Sequence, residues 1–414
     1  MRQSIERELA GRIIPFWQLL RDERDGGYFG HMDCDLVLNR EADKATLLTS
    51  RILWFFSTAA ARLDRPDLLE EAAHAYRFLA SSCTDPLGGG VVWSVRRDGA
   101  WSDTTKQAYA QAFAIYALAA YHEASRQTEP LELAIRLFEL LEEAFRTPTG
   151  YKEALDKDLN PVANDKLSEN GVLASRTMNT LLHVFEAYCG LWRASRDPRV
   201  EAAIRWVLDL FANRLYNRRA RRLDVFFDSD LRPLLDMQSF GHDIEAAWLF
   251  DWGVGLLGDP AVAAVFDPIS ADLVDSVRER AYRDGAIAFE SVGGQVNTTR
   301  HWWVQAEAMV SFQVASAKAA AALAEEYRQI ARRLWGYMED HLFDRRPRGE
   351  WHWGVELDGR PVPGLPVVST WKCPYHSGRA CLKMMAELAD SPQPRDPETA
   401  VAGQLARGAS GVAA

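Results

Sequence analysis

The sequence predicts an all-α protein: an (α/α)6 toroid, or barrel, with short β-hairpins gathered at one mouth. Three observations carry that prediction. An internal repeat runs the length of the chain, six long helical patterns are apolar nearly all round, and amphipathic helical patterns alternate with them. The repeat sets the frame, because self-similar units that cannot bury a face alone must stack on their neighbours. Its six openings are GGYFGHMDCDL at 26, GGGVVWSVRRDGAW at 88, GYKEALDKDLN at 150, LDVFFDSDLRPL at 223, GAIAFESVGGQV at 285 and GEWHWGVELDGRP at 349. They recur roughly every 60 to 70 residues. RRDGAW and ELDGRP place Asp-Gly between alternating runs, the cue for a tight hairpin.

Each opening leads into an apolar-periodic segment of four or more turns. In order these are KATLLTSRILWFFSTAAARL, TKQAYAQAFAIYALAAYHEA, SRTMNTLLHVFEAYCGLWRA, MQSFGHDIEAAWLFDWGVGLL, RHWWVQAEAMVSFQVASAKAA and STWKCPYHSGRACLKMMAELA. A helix that is hydrophobic all round is a buried one, so these form the inner ring. Amphipathic segments such as LLEEAAHAYRFLASSC and LELAIRLFELLEEAFR supply the outer ring. Residues 1–390 read as one catalytic domain. The stretch 391–414, rich in Pro, Gly, Ala and Ser, reads as a flexible C-terminal tail.

Composition narrows the function classes. With 414 residues, 48% apolar and 26% charged, the chain has material for a large core. A net charge of −10 without a Lys/Arg cluster argues against nucleic acid as partner. No apolar run is long enough to span a membrane. The charged, amphipathic N-terminus lacks the apolar region of a signal peptide. Five cysteines without a CxxC pair suggest neither a disulfide framework nor a zinc knuckle. These features predict a reduced cytoplasmic protein, monomeric or homodimeric. Fourteen tryptophans supply flat apolar faces suited to stacking on sugars, though large helical proteins also use them as filler.

Because the hairpins precede the inner helices, the first turns of those helices should floor the mouth. The polar residues there are Arg51, then Tyr109 with Gln111, then Asn179 and His183. His242, Glu245 and Trp248 follow, then Trp303 and Glu307, then Trp371, His376 and Arg379. Residues three or four apart share a helix face, so each helix can aim its set at the axis. Charged residues are seldom buried without partners, and six such sets at one end point to an active site.

Three chemistries compete for this inventory. His-x-x-Glu ligates metals in helical bundles, but such sites draw carboxylates from several helices, and here arginines and tryptophans crowd the space. Glu245 and Glu307 could flank a glycosidic bond, although hydrolysis has no use for three histidines. Acid–base chemistry on the carbon beside a carbonyl fits better: one histidine takes a proton, another gives one, and cationic and N–H donors stabilise the enediolate. A non-catalytic sugar binder would need the tryptophans but not two opposed histidines.

The segments FGHDIEAAWLF, HWWVQAEAMVSF, STWKCPYHSGRACL, TMNTLLHVFEAY and KQAYAQAFAIYAL resemble the cellobiose 2-epimerase family of the N-acylglucosamine 2-epimerase superfamily, over residues 5–388. The resemblance implies an (α/α)6 barrel that inverts C2 of a reducing-end aldose without cofactor or metal. It implies His242 and His376 as the acid/base pair, with His183, Arg51 and Glu245 holding the enediolate and orienting the bases. Tyr109, Asn179, Trp303, Glu307 and Trp371 would grip the sugar, with Trp248 as wall and Arg379 beside them. Related branches act on free glucose or mannose, and some members form ketoses. Leu181–Leu182 and Ser377 depart from the family pattern. His31, His74, His122, His341 and His352 have no matched role and read as hairpin, surface or capping residues.

Overall fold

The structure, a computed structural model, describes residues 1–168 and 170–390; the expected tail at 391–414 lies outside the described residues. The N-terminal segment is a helix α1 (Arg2–Glu8), a π-helical turn (Leu9–Ile13) and a helix α2 (Ile14–Gln18). Helices then alternate in two rings. The inner ones are α3 (Thr46–Leu63), α5 (Ala108–Ser125), α7 (Met178–Ser195), α9 (Phe240–Leu257), α11 (Trp302–Ala315) and α13 (Pro374–Asp390). The outer ones are α4 (Pro66–Phe78), α6 (Glu129–Leu140), α8 (Pro198–Leu210), α10 (Pro260–Arg280) and α12 (Ala321–Tyr337). Each inner helix packs on the next, and α13 packs back on α3 to close the ring.

The inner-to-outer turns have a local cause. Helices α3, α5, α7 and α9 each end at a residue in left-handed conformation (Asp64, Arg126, Arg196 and Gly258) whose N–H returns to the last turn. A left-handed C-cap stops a helix. A proline in the first turn then starts the next one, as Pro66, Pro130, Pro198 and Pro260 do. Proline suits that position because its fixed φ is helical and the missing N–H would be unpaired anyway. Asp197 and Asp259 add side-chain caps to α8 and α10.

The repeat reading, inner helix followed by outer helix, gives α13 no outer helix among the described residues. The chain's beginning fills that place: α1 packs on α13, and Glu8 accepts a hydrogen bond from Trp351 Nε1 at 2.9 Å. Helix α1 therefore covers α13 where an outer helix would lie.

The β-strands knit neighbouring repeats at the mouth. The residue pair before each inner helix joins the following repeat's opening: Lys44–Ala45 with Ser94–Val95, Lys106–Gln107 with Ala154–Leu155, and Arg176–Thr177 with Phe226–Phe227. Met237–Ser239 and Arg300–His301 do the same with Glu290–Val292 and Gly354–Val355, and a bridge from Met32 to Val368 completes the circle. Both Asp-Gly turns form as expected, with Gly99 and Gly359 at φ of +86° and +80°. Side chains at the fourth residue of three inner helices clamp this rim. Gln111 bonds both backbone groups of Val91, Gln305 both of Ile287, and Asp243 accepts from the Leu223 N–H. Gln111, expected at the mouth, thus serves the rim instead.

Candidate active site

Aligned by their first residues, the inner helices present one ring at their sixth position: Arg51, Phe113, His183, Glu245, Glu307 and Arg379. All are almost completely buried, so their charges must be neutralised inside the protein. Arg379 is the hub. Its guanidinium reaches Glu186 Oε1 at 2.6 Å, Glu307 Oε1 at 2.7 Å and Glu245 Oε1, and it lies over the ring of Tyr375 at 4.0 Å. Arg51 is held separately: it donates to Tyr109 Oη at 2.9 Å and rests on the rings of Phe113 and Tyr375.

Above that ring sits a more open layer. His242 and Trp303 are half-buried, as are Asn179 and Trp371. His242 and His376 both occupy the third position of their helices, α9 and α13, which flank α11. The indole of Trp303, second residue of α11, lies between them, with ring centres 4.8 Å from His242 and 5.5 Å from His376. The indole fits because residue 241 is glycine: a Cβ there would fall 2.3 Å from Trp303 Cη2. Asn179 Oδ1 is buried without a hydrogen-bond partner among the described residues.

The three histidines differ in what backs them. His376 Nδ1 meets Glu307 Oε1 at 2.7 Å, His183 Nδ1 meets Glu186 Oε2 at 2.8 Å, and His242 Nδ1 meets the Ser239 hydroxyl at 2.7 Å. Burial depresses all three below the usual imidazole range; the like charge of His183 helps push His242 down to about 3, and Arg379 lowers His376 further. Each therefore rests as neutral imidazole, the form that accepts a proton. Glu245 shifts the other way. Burial and the charge of Glu307 push it up to about 8, against the opposing pull of Arg379.

The structure adds partners to several expected site residues. Glu245, expected to hold the enediolate and orient the bases, bonds Arg379, and Glu307, expected on the sugar, also backs His376. Glu307 also accepts from Trp248 Nε1 at 2.9 Å, which turns that indole's polar edge into the protein. Trp371 precedes α13 rather than lying on it, and its ring stands 5.9 Å from Tyr109 and 6.0 Å from Trp93. Ser377 bonds Glu350, part of a buried pair with Lys372, and Leu181 and Leu182 are buried. Glu186, Tyr375, Ser239 and Trp93 were missed. Glu186 stands three residues after His183, so the spacing rule used for Glu245 would have found it. The oxygens and nitrogens of Glu245, Glu307 and His376 converge within 4.8 Å, as metal ligands would. The cation that binds both carboxylates is the Arg379 guanidinium. His74, which carried no site role, clasps its repeat's opening through Gly27 O at 2.9 Å, and all five cysteines are free.

The double ring of helices is shared with solved sugar epimerases. A sugar epimerase from a ruminal bacterium superposes with TM-score 0.92 at 39% identity, covering 94% of this chain and all of that one. A cellobiose 2-epimerase from Bacillus thermoamylovorans superposes with TM-score 0.89 at 37% identity, covering 93% and 98%. In sequence, a cellobiose 2-epimerase of Eubacterium cellulosolvens is 44% identical over 399 residues, 92% of this chain and 98% of the relative. These matches define the class: an (α/α)6-barrel isomerase acting as a sugar 2-epimerase. The pattern of the N-acylglucosamine 2-epimerase (GlcNAc 2-epimerase) family matches residues 27–380, and the chain belongs to that family. No helix among the described residues is long and apolar enough to cross a membrane.

Proposed function

We propose that this chain inverts C2 of the reducing-end sugar of cellobiose- or mannobiose-type β-1,4 disaccharides, with His242 and His376 as the two proton carriers. One observation carries the reading: two imidazoles occupy the same register on helices α9 and α13, each against the ring of Trp303. An aldose docked on that indole would have one imidazole beside each face of C2. The names of the relatives support the disaccharide.

The sugar ring opens first. One imidazole removes the C2 proton, giving a cis-enediolate and an imidazolium; rotation about C2–C3 presents the other face, and the second imidazole delivers a proton there. Each placed acid or base is worth about 10²–10⁴-fold. Arg51 supplies the anion's counter-charge in advance, and Glu245 supplies a hydrogen-bond donor. A carboxyl held neutral by burial keeps an O–H to donate, and Glu245 Oε2 has no partner among the described residues. His183 completes the ring around the enediolate oxygens. Tyr109, Asn179, Trp303 and Trp371 contact the sugar by hydrogen bonds and stacking.

Incubation with cellobiose, mannobiose, glucose and mannose tests the substrate. An epimeric disaccharide is the expected product. A free monosaccharide released from cellobiose contradicts the reading, and ketose as sole product assigns an aldose–ketose isomerase instead.

A further inference from the structure

Two arginines hold the same register on the packed helices α3 and α13, yet they are neutralised differently. Arg379 has three carboxylates, those of Glu186, Glu245 and Glu307. Arg51 is just as buried, at 2% exposed, and has no ion-pair partner among the described residues. Its acceptors are Tyr109 Oη at 2.9 Å, the Trp371 carbonyl at 3.4 Å and Cys373 Sγ at 3.7 Å, none of them a carboxylate. A buried guanidinium is ordinarily paired, so the asymmetry needs a cause.

Tyr375, the fully buried second residue of α13, touches both arginines and one of the carboxylates. Arg379 lies over its ring at 4.0 Å from the centre and Arg51 at 4.7 Å, a contact that guanidinium groups make readily with an aromatic face. The Tyr375 hydroxyl donates to Glu186 Oε2 at 2.5 Å, while Glu186 Oε1 accepts from Arg379 at 2.6 Å. Phe113 and Trp54 pack edge-on against the ring, with centres at 5.0 and 5.5 Å, and hold it in place. Burial alone would raise the Glu186 carboxyl. Arg379, His183 and Tyr375 together keep it below the usual carboxylate range, so it carries a full negative charge.

We infer that Tyr375 is a positioning residue whose ring keeps Arg51 from pairing with Glu186, so that Arg51 stays a cation without a carboxylate until the enediolate forms. What that cation serves rests on the function proposed above. A pair with Glu186 would cancel its charge before any anion arose. Charge organised in advance for an anion that exists only along the reaction path lowers the barrier without tightening the neutral sugar. Loss of the ring should therefore act on kcat and leave KM nearly alone.

Kinetics on cellobiose and crystal structures of two variants test this. Tyr375→Leu removes the ring, and kcat should fall about 10²-fold. Tyr375→Phe keeps the ring and loses only the bond to Glu186, so its kcat should fall about tenfold at most. Added to Glu186→Gln, which has no charge to capture Arg51, Tyr375→Leu should cost less than about tenfold further. In crystals Arg51 should pair with Glu186 in Tyr375→Leu and not in Tyr375→Phe. Those distances do not depend on the reaction. A parent without epimerase activity would count against the proposed function, and the crystals would still decide the role of Tyr375. The inference is overturned if Arg51 gains no carboxylate in Tyr375→Leu, if Tyr375→Phe loses as much activity as Tyr375→Leu, or if Tyr375→Leu costs the same with and without the Glu186 charge. Should Tyr375→Leu fail to fold, Tyr375→Phe decides: a pair between Arg51 and Glu186 in its crystals, or a fall in kcat of about 10²-fold, overturns the inference.

Discussion

His376 and Glu307 are joined at 2.7 Å, Nδ1 to Oε1, across the interface of α13 and α11. The carboxylate fixes the ring so that Nε2 faces the mouth, and it stabilises the imidazolium when a proton arrives. His242 has only the Ser239 hydroxyl in that place. Glu307→Gln should therefore cut kcat by about 10- to 100-fold, the worth of one hydrogen bond to a charged group. KM should change little. Steady-state kinetics on cellobiose checks this, and a loss confined to KM would return Glu307 to a sugar-binding role.

Gly241 and Trp303 make a second prediction. A methyl group at residue 241 would have to push the indole aside, since its Cβ would lie 2.3 to 2.7 Å from Trp303 and Val304 side-chain atoms. Gly241→Ala should lower kcat/KM by at least tenfold, with a change in tryptophan emission and an unaltered far-UV spectrum. The variant keeps both histidines, so the loss would come from the surface between them.

The buried carboxyl of Glu245 has a measurable linkage to stability. Its folded value, about 8, lies above its ordinary 4.5, so its contribution is complete below pH 4.5 and is lost as pH rises through 8. His242, depressed to about 3, acts oppositely: it favours folding above pH 6.5 and loses that contribution as pH falls toward 3. Between pH 6.5 and 8 the carboxyl dominates of the two. Denaturant titrations there should show stability falling with pH less steeply in Glu245→Gln than in the parent, by up to roughly 1.4 kcal/mol per pH unit. Equal slopes would mean that Glu245 is ionised in the folded protein.

The converging ligand atoms of Glu245, Glu307 and His376 admit a direct check. With the Arg379 guanidinium bound to both carboxylates, prolonged EDTA treatment should leave turnover unchanged, and added Mn²⁺ or Zn²⁺ should not raise it. Loss of activity restored by one metal would contradict the metal-free scheme.

Much of this was legible in the sequence. The inner helices are readable because full burial makes them apolar on every face, and the polar residues in their first turns stand out against that background. Pairings across the barrel are not readable. Glu245 and Glu307 hold the same register on neighbouring helices, and only the packing of α13 between α11 and α3 decides that His376 meets Glu307. Gln111 has the same early-turn placement as Tyr109, yet two residues further along the helix it points to the rim. The packing of α1 on α13 could not be read from the repeat, because α1 precedes the first repeat opening and α13 belongs to the sixth.

The most direct test of the central claim is proton exchange at C2. Cellobiose incubated in D₂O with the parent enzyme should yield the epimer carrying deuterium at C2, seen by NMR as loss of the H2 signal. His242→Asn and His376→Asn should each reduce epimer formation by at least 10²-fold. Full epimerisation by either variant, or an epimer that retains its original hydrogen throughout, would contradict the two-histidine account.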